Sequence, residues 1–205
     1  MTLPPCYSWS PVGHSLTVPY EAPQGRRINA VGGYISHGPD AGTFDFALYA
    51  SLPKSKSKQK RKSAEDVAAD YGLLLSEVGP IDSDRLLAFV WQLAGRPPVS
   101  FSEWKRARSL WIVLDNYSVH KSETVKAAQS ALEAANIHLF YLPAYSPELS
   151  DIEPVWLAVK HHEMQTRSQT EVKVAKQAVE QALEQKAAVL LERHGKSTKL
   201  LCRAA

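Results

Sequence analysis

A short apolar run, Leu110 to Leu114 (LWIVL), stops at Asp115-Asn116, and an amphipathic stretch separates it from a second run, Ile137 to Leu142 (IHLFYL). Both runs are too short for helices and rich in β-favouring residues, so each reads as a strand, the first of them buried. Between them Ser122 stands where a helix N-cap belongs. Val125, Ala128, Leu132 and Ala135 then recur at helical spacing as far as Asn136, a suitable stop. Strand, helix and strand at this spacing predict a right-handed βαβ unit with parallel strands. Asp115 then falls at a C-terminal strand edge, where open α/β sheets bind their ligands.

The flanking segments supply the rest of an α/β domain. Asn29 to His37 and Thr43 to Ala50 read as strands joined by the turn HGPDAG, and Phe44, Phe46 and Leu48 alternate with Thr43, Asp45 and Ala47. Ser63-Ala64-Glu65-Asp66 opens an amphipathic helix with Val67, Tyr71, Leu74 and Val78 on one face. A second helix is predicted from Ser83 to Ala94, burying Leu86, Leu87, Val90 and Leu93, with Gly95-Arg96-Pro97-Pro98 ending it. Downstream, the loop Pro143-Ala144-Tyr145-Ser146-Pro147 leads into a helix from about Asp151 that buries Ile152, Val155, Trp156 and Val159. A last long helix starts near Ser168, where Ser168-Gln169-Thr170-Glu171 fits a capping box, and runs towards His194-Gly195. Residues 196–205 are expected to fray.

At 205 residues the chain suits one domain, 1–205, with a single substantial core. No apolar run approaches the roughly 20 residues of a membrane span. The opening MTLPPCYSWSP has no charged-then-apolar secretory pattern. Cys6 and Cys202 have no metal-ligand spacing and read as free thiols of a cytoplasmic protein. The net charge of +3 is local in origin. Lys54, Lys56, Lys58, Lys60, Arg61 and Lys62 crowd the segment KSKSKQKRK, and without them 18 basic residues face 21 acidic ones. Such a run either neutralises phosphates or is a flexible, solvated loop, 54–62.

Two carboxylates stand out. Asp115 ends a strand, and Glu153 begins a helix delivered by a proline-bracketed loop. Hard cations such as Mg²⁺ need oxygen ligands on rigid elements, and a pair of ions about 4 Å apart can activate a hydroxyl and stabilise a leaving phosphodiester oxygen. Plainer roles are also open. Asp-Asn after a strand often makes a turn, and Ser150-Asp151-Ile152-Glu153 matches a capping box. His161 and His162 point about 100° apart on a helix and read as surface residues. Trp156 reads as core.

Taken together, LWIVLDNYSVHKS and IHLFYLPAYSPELSDIEPVWLAVK closely resemble the catalytic core of mariner-like transposases and their bacterial insertion-sequence relatives, the DDE superfamily endonucleases. Asp115, Asn116 and His120 match the first half of the pattern. Leu142, Pro143, Ser146, Pro147, Leu149, Ile152, Glu153, Trp156 and Lys160 match the second, and Ser150-Asp151 replaces the usual Asn-Pro. The 37 residues between Asp115 and Glu153 fit the family's spacing. Weaker likenesses at Tyr7 to Gly13 and Arg26 to Gly33 extend it upstream.

The resemblance implies a ribonuclease H-like α/β fold, a mixed sheet flanked by helices. It implies DNA strand cleavage and transfer with Mg²⁺ or Mn²⁺, and DNA partners in transposon ends and target. A homo-oligomer acting on the bacterial nucleoid is also implied. Asp115 and Glu153 would be the catalytic metal ligands. Asn116 and His120 would support them, His120 by orienting a carboxylate, by contacting DNA or through a structural hydrogen bond. The basic run would contact DNA. The family's first catalytic Asp ends a strand about ten residues before the segment that Tyr7 to Gly13 resembles, so that strand and that acid are expected to be missing. Asp40, in a turn, and Asp45, inside a strand, are the nearby acids. An enzyme fragment, a noncatalytic DNA-binding remnant and a regulator of a full-length transposase are the functions that compete.

Overall fold

The computed structural model describes residues 11–14, 27–53, 62–97, 104–164 and 171–203, with side chains as far as 194. Strands β1 (Ile28–Tyr34) and β2 (Phe44–Ala50) form an antiparallel hairpin with Ile28 opposite Ala50 and Tyr34 opposite Phe44. The ladder closes at Ile35, whose N–H donates to Thr43 O at 2.9 Å. The β1 strand therefore ends earlier than its sequence suggests. Gly42, at φ 92°, then passes so close to the C-terminal helix that a Cβ would lie 2.7 Å from His194 Cβ.

Helix α1 (Ala64–Tyr71) starts in a capping box between Ser63 and Asp66 and ends at Gly72 in the left-handed conformation. That early stop corrects one expectation. Leu74 leaves the helical face and lies 69% exposed, whereas Val78 turns back and is buried beside Ala50. Helix α2 (Ser83–Leu93) is capped by Asp82, whose carboxylate accepts the Arg85 N–H. It buries Leu86, Phe89 and Val90, while Leu87 and Leu93 are only half-buried.

Strands β3 (Leu110–Leu114) and β4 (Ile137–Tyr141) pair in parallel across helix α3 (Glu123–Ala134), as the βαβ pattern predicts. Ser122 Oγ accepts the Val125 N–H. Asn136 takes φ 63° beyond the helix and its amide donates to Arg106 O at 2.7 Å. The LWIVL strand is buried on one face only. Ile112 packs with Leu86, Val90, Val125, Leu132 and Ile137, whereas Trp111 and Val113 are 65% and 50% exposed and Phe140 is 54% exposed. A uniformly apolar strand has no alternation to reveal its inner face, and among the described residues the helices α2 and α3 cover one side alone.

Helix α4 (Glu153–Ala158) begins two residues later than expected, buries Val155 and continues into one wide π turn, Val159–Glu163. Ile152 and Trp156 are half-buried in a second cluster with Phe44, Leu48, Val155, Val159 and Leu183. The Trp156 edge meets the Phe44 ring at 5.7 Å, and Gly32 makes room for the indole, because a Cβ there would lie 2.7 Å from it. Helix α5 (Val172–Arg203) passes through Gly195 instead of stopping there. One glycine inside a helix costs only about 1 kcal/mol. The capping box at Ser168 lies outside the described residues.

Among the described residues the strands form two separate two-stranded sheets, β1–β2 and β3–β4. Because Arg27 and Ile35 bond to the β2 side, alternation turns the backbone groups of Ala30 and Gly32 away from it. Likewise Leu110 and Leu114 bond to the β4 side, which turns Trp111 and Val113 towards the opposite edge. Val31 of β1 and Leu110 and Leu114 of β3 each pack against the same core cluster. Mixed α/β architecture with one parallel pair, flanked by helices, is compatible with a ribonuclease H-like fold.

Candidate active site

Helix α2 fixes the two ends of the parallel pair. At its N-terminus Ser83 Oγ and Ser122 Oγ are 2.7 Å apart, tying α2 to the start of α3. At its C-terminus Ala94 O accepts from Arg106, whose own N–H donates to Ala135 O before β4 begins. Asp115 therefore lies at the α3 N-terminal end and Arg106 at the other.

Immediately after β3 the chain makes a tight polar turn. Asp115 Oδ1 accepts the Tyr117 N–H at 3.0 Å and lies 2.8 Å from His120 Nδ1, which is also 3.2 Å from the Asp115 carbonyl oxygen. His120 is thus bound to the carboxylate, one of the roles its position suggests. Asn116 turns the other way, and its Nδ2 donates to Leu142 O at 2.6 Å. That bond joins the Asp115 turn to the start of the 143–152 loop, which leads to Glu153. The turn role foreseen for Asp-Asn is therefore real, but it occupies one carboxylate oxygen only. The Asp115 side chain is 66% exposed.

Glu153 occupies the first position of α4 with its side chain exposed. The capping-box alternative fails: Ile152 is the N-cap residue, and no side chain caps the helix. Nothing among the described residues pairs with the Glu153 carboxylate, and no hydrogen bond or ion pair joins it to Asp115. Among the described residues no group of three His, Cys, Asp or Glu side chains is arranged to hold a metal ion.

Asp40 and Asp45 belong elsewhere. Asp40 Oδ2 is ion-paired with Arg106 at 3.2 Å, and Asp45 Oδ2 accepts from Gln92 at 2.9 Å near the α2 C-terminus. Of the basic run only Lys62 is described, at 2.5 Å from Asp70. The hydrogen bond to Asp70, and then its charge, raise the Lys62 pKa. Lys54, Lys56, Lys58, Lys60 and Arg61 lie outside the described residues.

A cleft of about 370 Å³ opens beside the turn, lined by Asn29, Ala30 and Val31 of β1 and by Tyr117, Val119 and His120. Three tyrosines, of the turn, of β4 and of the proline loop, are not singled out by the sequence pattern. Tyr117 is 60% exposed, Tyr145 is fully exposed at φ 61°, and the Tyr141 hydroxyl donates to His120 O at 2.9 Å. Their only sequence signal is their closeness to Asp115 and to the proline loop.

Residues 78–174, from the end of the first turn region through both acids to the start of α5, match the family model of the DDE superfamily endonucleases. This stretch, just under half of the chain, is similar to the DDE superfamily endonucleases. None of the curated proteins matches the chain. Domains of this superfamily generally use divalent metal ions, and their nuclease and transposase members act on DNA. An exposed carboxylate on a rigid turn, as at Asp115, is the kind of ligand a hydrated Mg²⁺ or Mn²⁺ takes, since the ion keeps several waters and binds one or two protein carboxylates. A third DDE carboxylate is not grouped with Asp115 among the described residues. No described helix is long and apolar enough to cross a membrane.

Proposed function

We propose that the chain is the catalytic part of a DDE transposase, in which Asp115 and Glu153 hold Mg²⁺ or Mn²⁺ for DNA strand cleavage and transfer, and that it lacks the first acid of the set. The observation that carries this is Asp115 itself: an exposed carboxylate at the C-terminal edge of a parallel pair, oriented by His120 and tied through Asn116 to the loop before Glu153. When bound, the metal would supply Lewis acidity at the phosphodiester and a ready nucleophile. This chain's own part is to present carboxylate oxygens, hold the turn rigid and carry cationic side chains, Lys54 to Lys62, for DNA phosphates.

What supports incompleteness is that the sheet is divided among the described residues and that Asp40 and Asp45 are both engaged at the far end of α2. A strand between β1 and β3, bringing an acid to Asp115, would satisfy both open edges. Without it the chain is a DNA-binding remnant or a regulator that pairs with a full-length transposase, a second reading favoured by those same edges. Pairing through the edges would also make it an oligomer, and DNA as partner would place it on the nucleoid. The test is Mg²⁺-dependent nicking of transposon-end DNA by residues 1–205. No appreciable cleavage is expected, together with weak Mn²⁺ binding that Asp115→Ala and Glu153→Ala each abolish. Robust cleavage that disappears in Asp115→Ala would overturn incompleteness, and Mn²⁺ binding indifferent to both variants would overturn the metal site.

A further inference from the structure

We infer that His120 is a positioning residue that leaves only Oδ2 of Asp115 free for a cation, and that Tyr141 braces it from β4. The inference rests on the proposal that Asp115 is a metal ligand. His120 Nδ1 stands 2.8 Å from Asp115 Oδ1 and 3.2 Å from the Asp115 carbonyl oxygen. A carbonyl oxygen only accepts, and so does an ionised carboxylate, so Nδ1 must carry the hydrogen. In the neutral ring the lone pair then sits on Nε2. The Tyr117 N–H donates to the same Oδ1 at 3.0 Å. With two donors converging on Oδ1 and none of the described residues donating to Oδ2, the second oxygen is the one left to bind an ion.

The imidazole has little freedom to leave this arrangement. Its side chain is 19% exposed, against 66% for Asp115, and its ring stands edge-on to Tyr117 at 5.9 Å. The His120 N–H donates to Tyr117 O at 3.0 Å, and its carbonyl accepts the Tyr141 hydroxyl at 2.9 Å. Tyr141 is the last residue of β4, so the second strand of the parallel pair holds the ring that aims the carboxylate at the end of the first. Partners of this kind, one bond removed from the metal, commonly govern affinity by about 10- to 100-fold.

Asparagine and glutamine separate this role from simple packing, because the Asn amide nitrogen replaces Nδ1 and the Gln amide nitrogen replaces Nε2. Nitrogen-15 NMR of the metal-free full chain should show His120 with its hydrogen on Nδ1. In Mn²⁺ titrations followed by electron paramagnetic resonance, His120→Gln should bind about 10- to 100-fold more weakly than wild type. His120→Asn should recover most of that affinity. Tyr141→Phe, which removes one hydroxyl and keeps the ring, should fall between wild type and His120→Gln. A ring with no hydrogen on Nδ1, or equal Mn²⁺ affinity in the Asn and Gln variants, overturns the positioning role. Should Asp115→Ala leave Mn²⁺ binding intact, the ligand assignment falls and the positioning role with it. Weakened binding in Asp115→Ala with wild-type affinity in His120→Gln removes the positioning role alone.

Discussion

Arg106 holds Asp40 at the end of the parallel strands opposite Asp115, with Nη2 3.2 Å from Oδ2. The five residues of β3 span about 16 Å at the usual rise of a strand. Neither Asp40 nor Asp45, bound to Gln92 at the same end of α2, is placed to share an ion with Asp115. Asp40→Asn and Asp45→Asn should therefore leave Mn²⁺ affinity unchanged, each destabilising the fold by about 1 kcal/mol or less. Isothermal Mn²⁺ titration checks the first statement and urea unfolding the second. Weakened binding in either variant would restore that acid as a candidate ligand.

The basic run divides into one paired cation and five others. Changing Lys54, Lys56, Lys58, Lys60 and Arg61 to Gln should lower the slope of log affinity for duplex DNA against log salt by about 0.9 for each phosphate that is no longer neutralised. Lys62→Gln should lower it less, since Lys62 already neutralises Asp70. Fluorescence anisotropy across a salt series measures both, and an unchanged slope in the fivefold variant would show a solvated loop.

Acid should loosen the packing of α5 on the turn before α2. The Lys176 ammonium, 2.7 Å from Glu77, and then the Leu74 N–H hold the Glu77 carboxyl below its ordinary pKa. A carboxylate with a depressed folded pKa stabilises the native state fully above the unfolded value of about 4.3, and that stabilisation fades as pH falls through the folded value. Glu77→Gln should reduce stability by on the order of 1 kcal/mol at neutral pH, and its stability should decline less on acidification. Urea midpoints measured between about pH 3 and about pH 6 provide the comparison.

Gly32 should tolerate no side chain. With its missing Cβ directed at the Trp156 indole 2.7 Å away, Gly32→Val should destabilise by about 1–3 kcal/mol through overpacking. Equal urea midpoints for the variant and wild type would show that the indole moves aside freely.

The elements legible in the sequence are those whose ends carry their own chemistry. Ser122 and Asn136 bracket α3, Ser63 and Asp66 open α1, and the apolar runs beside α3 could only be strands. What escapes a sequence reading depends on partners distant in the chain. LWIVL gives no clue to its inner face, because all five residues are apolar and the choice is made by α2 and α3. Leu74 keeps helical spacing after the helix has ended at Gly72. At the site, the spacing of Asp115 and His120 shows that they belong to one turn. It does not show that one carboxylate oxygen is used up there. Tyr141 looks like any aromatic strand residue until β4 is set beside β3.

The divided sheet has a mechanical consequence. Asp115 rides on the cluster built from β3, β4, α2 and α3, whereas Glu153 rides on α4, packed with β1, β2 and α5. No backbone ladder among the described residues crosses from one assembly to the other, and Val31 is among the side chains that bridge them. The separation of the two acids thus depends on how the assemblies abut as well as on the 143–152 loop that Asn116 anchors. Whatever holds this seam shut also calibrates the distance between them.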